Sequence, residues 1–297
     1  MKGKETINPR NPTIARALVL GGGGAVGVGW QIGLLSGLRE AGVDMAKAQA
    51  IVGTSAGALV GALLSGGGEI DDALTSLASL GHSIDPDSLA AGDQSFLGIM
   101  REARLEPDPR QALRAIGRAA NEAKTLAEDV YIGLFSTLEG MVWPSGFRCT
   151  AIDTHTGDLV VWDEESGVPL SHAVAASCAI PALFPTVSVQ GCRYMDGGIF
   201  STLNAAAAPP LDVLVVLSCH PLGSKGNGGG GSLAASVSPD DELASIPHIA
   251  RLVAIEPDFS DIEEPINMMD PNLVIQALQI GKRQSTDELS TIQAVWA

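Results

Sequence analysis

The sequence predicts an α/β fold with a parallel central sheet, and three observations lead to this prediction. Two short apolar runs, at residues 17–20 and 48–53, each lead into a glycine-containing turn and then into a segment with helical spacing. Successive strand–turn–helix units build a parallel sheet because each helix returns the chain to the beginning of the next strand. In addition, 45% of the residues are hydrophobic and only 4% are aromatic, so we expect a sizeable core of Ala, Val, Leu and Ile.

The first unit begins with the strand at 17–20, which runs directly into a glycine-rich turn and then a helix. Trp30, Leu34 and Leu38 recur at helical spacing after this turn, and Gly42 ends the helix. This segment is therefore a complete strand–turn–helix unit.

The second strand enters a turn at residues 53–57, and an alanine- and leucine-rich helix follows it. Glycines at 66–68 end this helix, and a further helix is predicted over 69–80. Residues 82–145 lack strand signals and contain helical segments that break at prolines. We therefore expect a helical insertion here, which is a candidate cap over the site.

Strands resume after the insertion, and we expect the whole chain, residues 1–297, to form one domain. Further strands are predicted at 147–152, 158–162, 193–195 and 212–218, and further helices at 170–177 and 271–290. Two segments lie outside this pattern: residues 1–14 form a polar arm, and the Gly- and Ser-rich residues 223–232 form a flexible loop.

The turn at residues 53–57, Gly-Thr-Ser-Ala-Gly, places a serine at the apex of a sharp strand-to-helix connection. Gly53 and Gly57 leave room for strained backbone and for close packing of the helix on the strand. The Ser55 hydroxyl then lies at a helix N-terminus, where backbone dipoles favour developing negative charge. This arrangement predicts a nucleophile, and the alternative is a glycine-rich turn that contains a serine by chance.

The glycine loop after the first strand has two interpretations. As part of a hydrolase site, Gly22, Gly23 and Gly24 would direct backbone N–H groups at the oxyanion of a tetrahedral intermediate. The alternative is a dinucleotide-binding loop, because Gly22-x-Gly24-x-x-Gly27 matches that fingerprint. The fingerprint also requires an acidic residue at the end of the second strand, and Asp44 precedes that strand, so the first interpretation is favoured.

The serine needs a base, and none of the five histidines stands in a context that singles it out. Asp196 is the better candidate, because an apolar strand delivers it to the turn formed by Gly197 and Gly198. An ordinary Asp-Gly turn is the alternative. A carboxylate with a pKa near 3.9 is a poor base at neutral pH, so Asp196 requires a desolvated setting and direct contact with the Ser55 hydroxyl.

Composition limits the partners and the compartment. The formal net charge of −16 argues against nucleic acid and against electrostatic docking on anionic lipid. The four cysteines form no CxxC pair and no zinc pattern, so we expect free thiols, no metal and a reducing compartment. No apolar signal segment or transmembrane segment is seen, so we expect a cytoplasmic protein.

One basic segment is an exception to the acidic composition. Arg110, Arg114 and Arg118 recur every four residues and share one helix face. This face either contacts phosphate head groups, which would give peripheral membrane contact, or is a solvated surface balanced by neighbouring acidic residues.

Four segments in this order resemble the patatin-like phospholipase family. They are the glycine loop at 21–27, the serine turn at 53–57, residues 176–185 and the Asp-Gly-Gly turn at 196–198. The third segment, ASCAIPALFP, is similar to the family signature A-S-x-x-x-P-x-x-F-P. The resemblance covers about residues 16–200 and implies a three-layer α/β/α fold with a mostly parallel central sheet.

The resemblance also implies acyl-ester hydrolysis on lipids by a Ser–Asp dyad without histidine, cofactor or metal. Ser55 would be the nucleophile and Asp196 the base, and the substrate a lipid or acyl ester of the phospholipase A, lysophospholipase or esterase type. The family usually carries Arg or Lys in the glycine loop where this chain has Val26. This departure motivates an alternative, a catalytically weak or inactive patatin-like domain that binds lipid or protein.

Overall fold

The computed structural model of the chain describes residues 15–68, 72–75, 77, 86–223, 237–246, 249–263 and 266–296. The predicted polar arm at 1–14 and residues 224–232 of the predicted flexible loop lie outside the described residues. Most of the predicted helix at 69–80 and the first residues of the predicted insertion, 82–85, also lie outside them.

Within the described residues, eight strands form one sheet. They are β1 (Arg16–Leu20), β2 (Ala50–Gly53), β3 (Phe147–Asp153), β4 (Leu159–Trp162), β5 (Val187–Val189), β6 (Cys192–Asp196), β7 (Val213–Leu217) and β8 (Arg251–Ile255). The order across the sheet is β5-β6-β3-β2-β1-β7-β8, and β4 also pairs with β3. Strands β3, β2, β1, β7 and β8 run parallel, whereas β4 and β6 pair antiparallel with β3, and β5 with β6.

Helices flank this sheet, which confirms the predicted α/β class with its mostly parallel central sheet. They are α1 (Gly24–Glu40), α2 (Ala56–Ser65), α3 (Pro86–Ala103), α4 (Pro109–Glu122), α5 (Glu128–Gly133), α6 (Leu170–Ser177), α7 (Pro239–Ser245) and α8 (Val274–Trp296). In the described part of the chain, no helix combines the length and the apolar character that crossing a membrane requires.

The central strand β1 is buried on both faces, as expected for a parallel strand between two layers. Leu18 and Leu20 belong to a large apolar cluster with α1, α2, α6 and α8. Ala17 and Val19, which point to the opposite face, belong to a second cluster that also contains Leu203, Ala205, Ile246 and Ile249. The carboxyl ends of β1 and β2 therefore lie in the interior of the protein, where side chains can be desolvated.

Helices α1 and α8 pack closely through glycines. A Cβ atom added at Gly33 would lie 2.0 Å from the carbonyl oxygen of Leu278, and one at Gly29 would lie 2.4 Å from that of Val274. A Cβ at Gly281 would lie 2.2 Å from the Trp30 carbonyl oxygen. The two helices run parallel, so α8 supports the whole length of the helix that follows the glycine loop.

The region predicted as a helical insertion contains α3, α4 and α5. Asp108 caps α4 by accepting a hydrogen bond from the Arg110 amide, at the break that the sequence predicted. On the outer face of α4, Arg110 forms a 2.7 Å ion pair with Asp158, and both side chains are exposed. At Arg110, this arrangement favours the interpretation of a solvated helix face, whereas Arg114 is partly buried.

Candidate active site

Ser55 lies between β2 and α2, at a tight turn that requires glycine on both sides of the serine. Its backbone is strained, with φ 51° and ψ −119°. A Cβ atom at Gly57 would lie 2.0 Å from the Leu20 carbonyl oxygen, and one at Gly53 would lie 2.5 Å from the Ala58 Cα. Both flanking positions therefore require glycine, and the turn holds the Ser55 hydroxyl at the start of α2.

The segment at 176–185 holds the backbone of this strained serine. The Ser55 amide donates a 2.9 Å hydrogen bond to Ser177 Oγ, and the Cys178 thiol donates to the Ser55 carbonyl oxygen at 3.2 Å. The sequence placed Ser177 and Cys178 in a family signature without assigning these contacts. They fix both polar groups of the Ser55 backbone.

Asp196 lies at the end of β6 and contacts the serine directly. Ser55 Oγ donates a hydrogen bond to Asp196 Oδ2 at 2.7 Å, across 141 positions of sequence. The Gly198 amide donates to Asp196 Oδ1 at 2.7 Å, so each carboxylate oxygen has a partner. A Cβ atom at Gly197 would lie 2.6 Å from Thr150 Oγ1, which explains a glycine directly after the aspartate.

Burial gives this carboxyl group a pKa suited to proton transfer. Asp196 is 3% exposed and Ser55 is 7% exposed. Desolvation raises the pKa of Asp196 from 3.8 to about 7, and the hydrogen bonds from Ser55 and Gly198 oppose this rise. A group with this pKa both accepts and releases a proton near neutral pH.

The glycine loop lies beside the serine, and its three expected donors differ in their hydrogen bonds. A Cβ atom at Gly22 would lie 3.2 Å from Ser55 Cβ. The Gly22 amide, however, donates to the Thr202 carbonyl oxygen at 2.7 Å, so it is already engaged. The Gly23 and Gly24 amides have no acceptor among the described residues, which leaves them as the candidate oxyanion donors.

An apolar pocket opens beside Ser55, and α5 supplies part of its wall. Tyr131 stacks on Phe184 with ring centroids 5.1 Å apart and meets Phe135 edge to face at 5.5 Å. The Tyr131 hydroxyl donates to the Ala175 carbonyl oxygen at 3.2 Å, which satisfies its one polar group. An acyl chain bound here would contact apolar side chains beside the serine.

Histidine contributes nothing to this arrangement in the described residues. His155 is exposed, and His172 is hydrogen-bonded to the neighbouring Ser171. Burial lowers the pKa of His220 to about 4, so this side chain is neutral at physiological pH. The remaining two, His82 and His248, lie outside the described residues.

Sequence reasoning missed a buried polar group behind the serine. Thr54 Oγ1 and Thr150 Oγ1 lie 2.8 Å apart, and the side-chain nitrogen of Asn204 contacts both. Asn204 lies in an alanine-rich stretch that gives no functional signal, Thr150 lies in a strand, and Thr54 was expected only as part of the serine turn.

Comparison with known proteins gives a family match and curated relatives. A family model described as patatin-like phospholipase matches residues 18–209. Two uncharacterized NTE family proteins, from Mycobacterium bovis and Mycobacterium tuberculosis, are each 30% identical over 188 residues, which cover 63% of this chain and 27% of the relative. The chain therefore spans about a quarter of the length of these curated relatives.

Two solved structures are similar at low sequence identity. VipD from Legionella pneumophila has a TM-score of 0.45 and 14% identity, over 94% of this chain and 67% of that chain. The type III effector protein ExoU has a TM-score of 0.38 and 17% identity, over 94% of this chain and 54% of that chain.

Proposed function

The chain belongs to the patatin-like phospholipase family, and we propose that it is a serine acyl hydrolase that cleaves lipid acyl esters. The family supports a lipid-hydrolase type of function. The single observation that carries the finer proposal is the 2.7 Å contact between Ser55 Oγ and Asp196 Oδ2, in a buried setting beside an apolar pocket. We assign Ser55 as nucleophile and Asp196 as general base.

In the first half-reaction, Ser55 Oγ attacks the ester carbonyl carbon while its proton moves to Asp196. The carbonyl electron pair moves onto oxygen, and the Gly23 and Gly24 amides stabilise the resulting oxyanion. When the tetrahedral intermediate collapses, the alcohol leaves with the proton that Asp196 held. Ser55 then carries the acyl group as an ester.

Water completes the cycle. It attacks the acyl-enzyme carbonyl carbon and gives a proton to Asp196, and the second intermediate expels the Ser55 oxygen, which takes up that proton. The products are a free carboxylic acid and the original enzyme. The phospholipase A, lysophospholipase and esterase types share this chemistry, and they differ in the alcohol that leaves.

A catalytically inactive binding domain is the alternative that Val26 motivates. Val26 is fully buried, and its amide donates to the Met268 carbonyl oxygen at 3.0 Å. The loop before it is held by hydrogen bonds from Gly21 to Leu217 and from Gly22 to Thr202. These contacts support a loop that keeps its shape without a basic residue, and therefore favour an active enzyme.

The proposal is tested with a fluorophosphonate probe and a short-chain p-nitrophenyl ester. We expect the wild-type protein to be labelled at Ser55 and to hydrolyse the ester. Ser55→Ala should abolish labelling, and both Ser55→Ala and Asp196→Asn should lower kcat by at least about 1000-fold. Ser260→Ala, which changes an exposed serine, is the matched control and should behave as wild type.

Two results would reject the proposal that this protein is a serine acyl hydrolase. One is the absence of labelling in correctly folded wild-type protein, which would favour the binding domain. The other is a wild-type rate in either dyad variant. A panel of phospholipid, lysophospholipid and neutral glyceride substrates then identifies the leaving alcohol.

A further inference from the structure

Asn204 occupies a buried position between the turn that carries Ser55 and the turn that carries Asp196. It is 1% exposed, and its backbone adopts a left-handed conformation with φ 51° and ψ 38°. Asparagine adopts this conformation more readily than most residues other than glycine. The backbone at this position therefore restricts which side chains the protein can place there.

The side-chain nitrogen of Asn204 contacts both turns. On one side, Nδ2 lies 3.1 Å from Thr54 Oγ1 and 3.3 Å from Thr150 Oγ1. On the other side, it lies 3.1 Å from the Gly197 carbonyl oxygen and 2.8 Å from that of Ser201. Because Thr54 directly precedes the proposed nucleophile and Gly197 directly follows the proposed base, one amide group joins the two halves of the dyad.

The chemistry of these neighbours fixes the orientation of the amide. The carbonyl oxygens of Gly197 and Ser201 only accept hydrogen bonds, so they must face the NH₂ group. That group has two hydrogens for four acceptors, and some of its contacts are therefore shared. The Thr54 hydroxyl can donate to the Leu203 carbonyl oxygen at 3.2 Å, which leaves its lone pairs available to the amide.

The other end of the same amide has no such role. Asn204 Oδ1 is buried and has no hydrogen-bond partner among the described residues. An unpaired buried acceptor lowers stability, since it loses its hydrogen bonds to water. The contacts of Nδ2 therefore account for an amide at this position.

We propose that Asn204 is a positioning residue that sets the Ser55 hydroxyl against the Asp196 carboxylate. The strained backbone of Ser55 can relax only if its turn moves, and the amide ties that turn to the one after Asp196. The inference rests on the proposed function, because it assigns Asn204 a part in the proton transfer between these two groups. Asn204 acts through them and does not touch the substrate.

Two substitutions test the proposal, and both keep the left-handed backbone accessible. Asn204→Gly deletes the amide, and glycine adopts this conformation without a steric clash. Asn204→Asp keeps the shape but replaces the two N–H donors by an oxygen that only accepts when ionised. Ile292→Val is the control for general destabilisation, because Ile292 is fully buried in the C-terminal half of α8, at the opposite end of α1 from Ser55.

For each variant, we would measure kcat, KM, the rate constant of Ser55 labelling by the fluorophosphonate, and Tm. We expect Asn204→Gly to lower kcat and the labelling rate constant by about 10- to 100-fold, with KM changed less than about threefold. Asn204→Asp should also lower kcat and the labelling rate constant. This variant decides the test if the glycine variant does not fold. Ile292→Val should lower Tm only.

A purely structural role predicts a different result: Tm falls, while kcat and the labelling rate constant of the folded variants stay at the wild-type values. That result would overturn the proposal. A crystal structure of Asn204→Gly gives a readout that does not require activity. A Ser55 Oγ to Asp196 Oδ2 distance unchanged from 2.7 Å would overturn the inference. If this distance is longer in Asn204→Gly but the wild-type protein is inactive, the proposed function is rejected and the positioning role of Asn204 stands.

Discussion

At the scale of single residues, Asp196 shows how burial changes the chemistry of an ordinary side chain. An exposed aspartate is ionised and too weak a base at neutral pH. Within the described residues, the side chain of Asp196 contacts one hydroxyl and one amide, and no cation pairs with it. The proton therefore leaves this carboxyl group only near pH 7, where general base catalysis is most effective.

This pKa leads to a prediction for the dependence of the rate on pH. The proposed mechanism needs the ionised carboxylate, so kcat/KM should rise with pH, reach half its maximum near the pKa of about 7 and then level off. Ester hydrolysis measured between pH 5 and 9 in a single buffer series tests this. A midpoint near pH 4 would show that burial does not act on the catalytic base as we propose.

Some site residues could be predicted from the sequence and others could not. Ser55 and Asp196 lie in local patterns of glycine and apolar residues, because their turns impose backbone demands that only those residues meet. Asn204 and Tyr131 lack such patterns, since their roles depend on neighbours distant in sequence. The engagement of the Gly22 amide by Thr202 could not be predicted for the same reason.

At the scale of secondary structure, six of the eight strands in the described residues, β1, β2, β3, β4, β6 and β7, lie close to their predicted positions. The sequences of β1, β2 and β7 are nearly continuous apolar runs, because these strands are buried on two faces. Strand β8 was missed. It lies at the edge of the sheet, where only Ile255 of its five residues is buried, although residues 252–255 form a short apolar run. The three-residue strand β5 was missed as well.

The contact between α1 and α8 gives a prediction at this scale. Gly33→Ala would place a methyl group against the Leu278 carbonyl oxygen, a backbone atom that cannot turn away. We expect the free energy of unfolding to fall by about 1–3 kcal/mol, as for other overpacked sites. Urea unfolding monitored by circular dichroism measures this change.

The matched control for this prediction is Gly98→Ala in α3. A Cβ atom at Gly98 meets nothing within 4 Å, so the substitution only improves helix propensity. We expect it to raise the free energy of unfolding by about 0.5–1 kcal/mol. Equal effects of the two substitutions would mean that the glycines of α1 do not determine how closely the two helices approach.

At the scale of the whole molecule, the site forms where distant segments meet beyond the carboxyl ends of the central strands. Ligands of open α/β sheets bind outside the carboxyl ends of the strands, and the glycine loop and Ser55 both follow such ends. Asp196 reaches the same end of the sheet from β6, which runs antiparallel to β3. The periodicity of the sequence predicts the strands but not their order, so only the family resemblance could bring Asp196 to Ser55.

This convergence has an effect on stability that can be measured across pH. In the unfolded chain, Asp196 ionises near pH 3.8, whereas in the folded protein it ionises near pH 7. Between these values the unfolded state has lost the proton and the folded state keeps it, so the free energy of unfolding falls as pH rises, by about 1.4 kcal/mol per unit. The contribution of the protonated Asp196 to the free energy of unfolding is complete below about pH 4 and is lost above about pH 7.

Asp196→Asn removes this titration while keeping the shape of the side chain. We therefore expect the stability of the variant relative to wild type to increase by about 3 kcal/mol between pH 5 and pH 8, and to stay constant above that range. Taking the difference between the two proteins removes most of the effect of the remaining acidic residues, which titrate in both. Urea unfolding at half-unit pH steps gives the curve. A difference that stays flat or falls as pH rises would show that the folded protein holds Asp196 ionised at pH 5, and that desolvation of the site does not destabilise the fold.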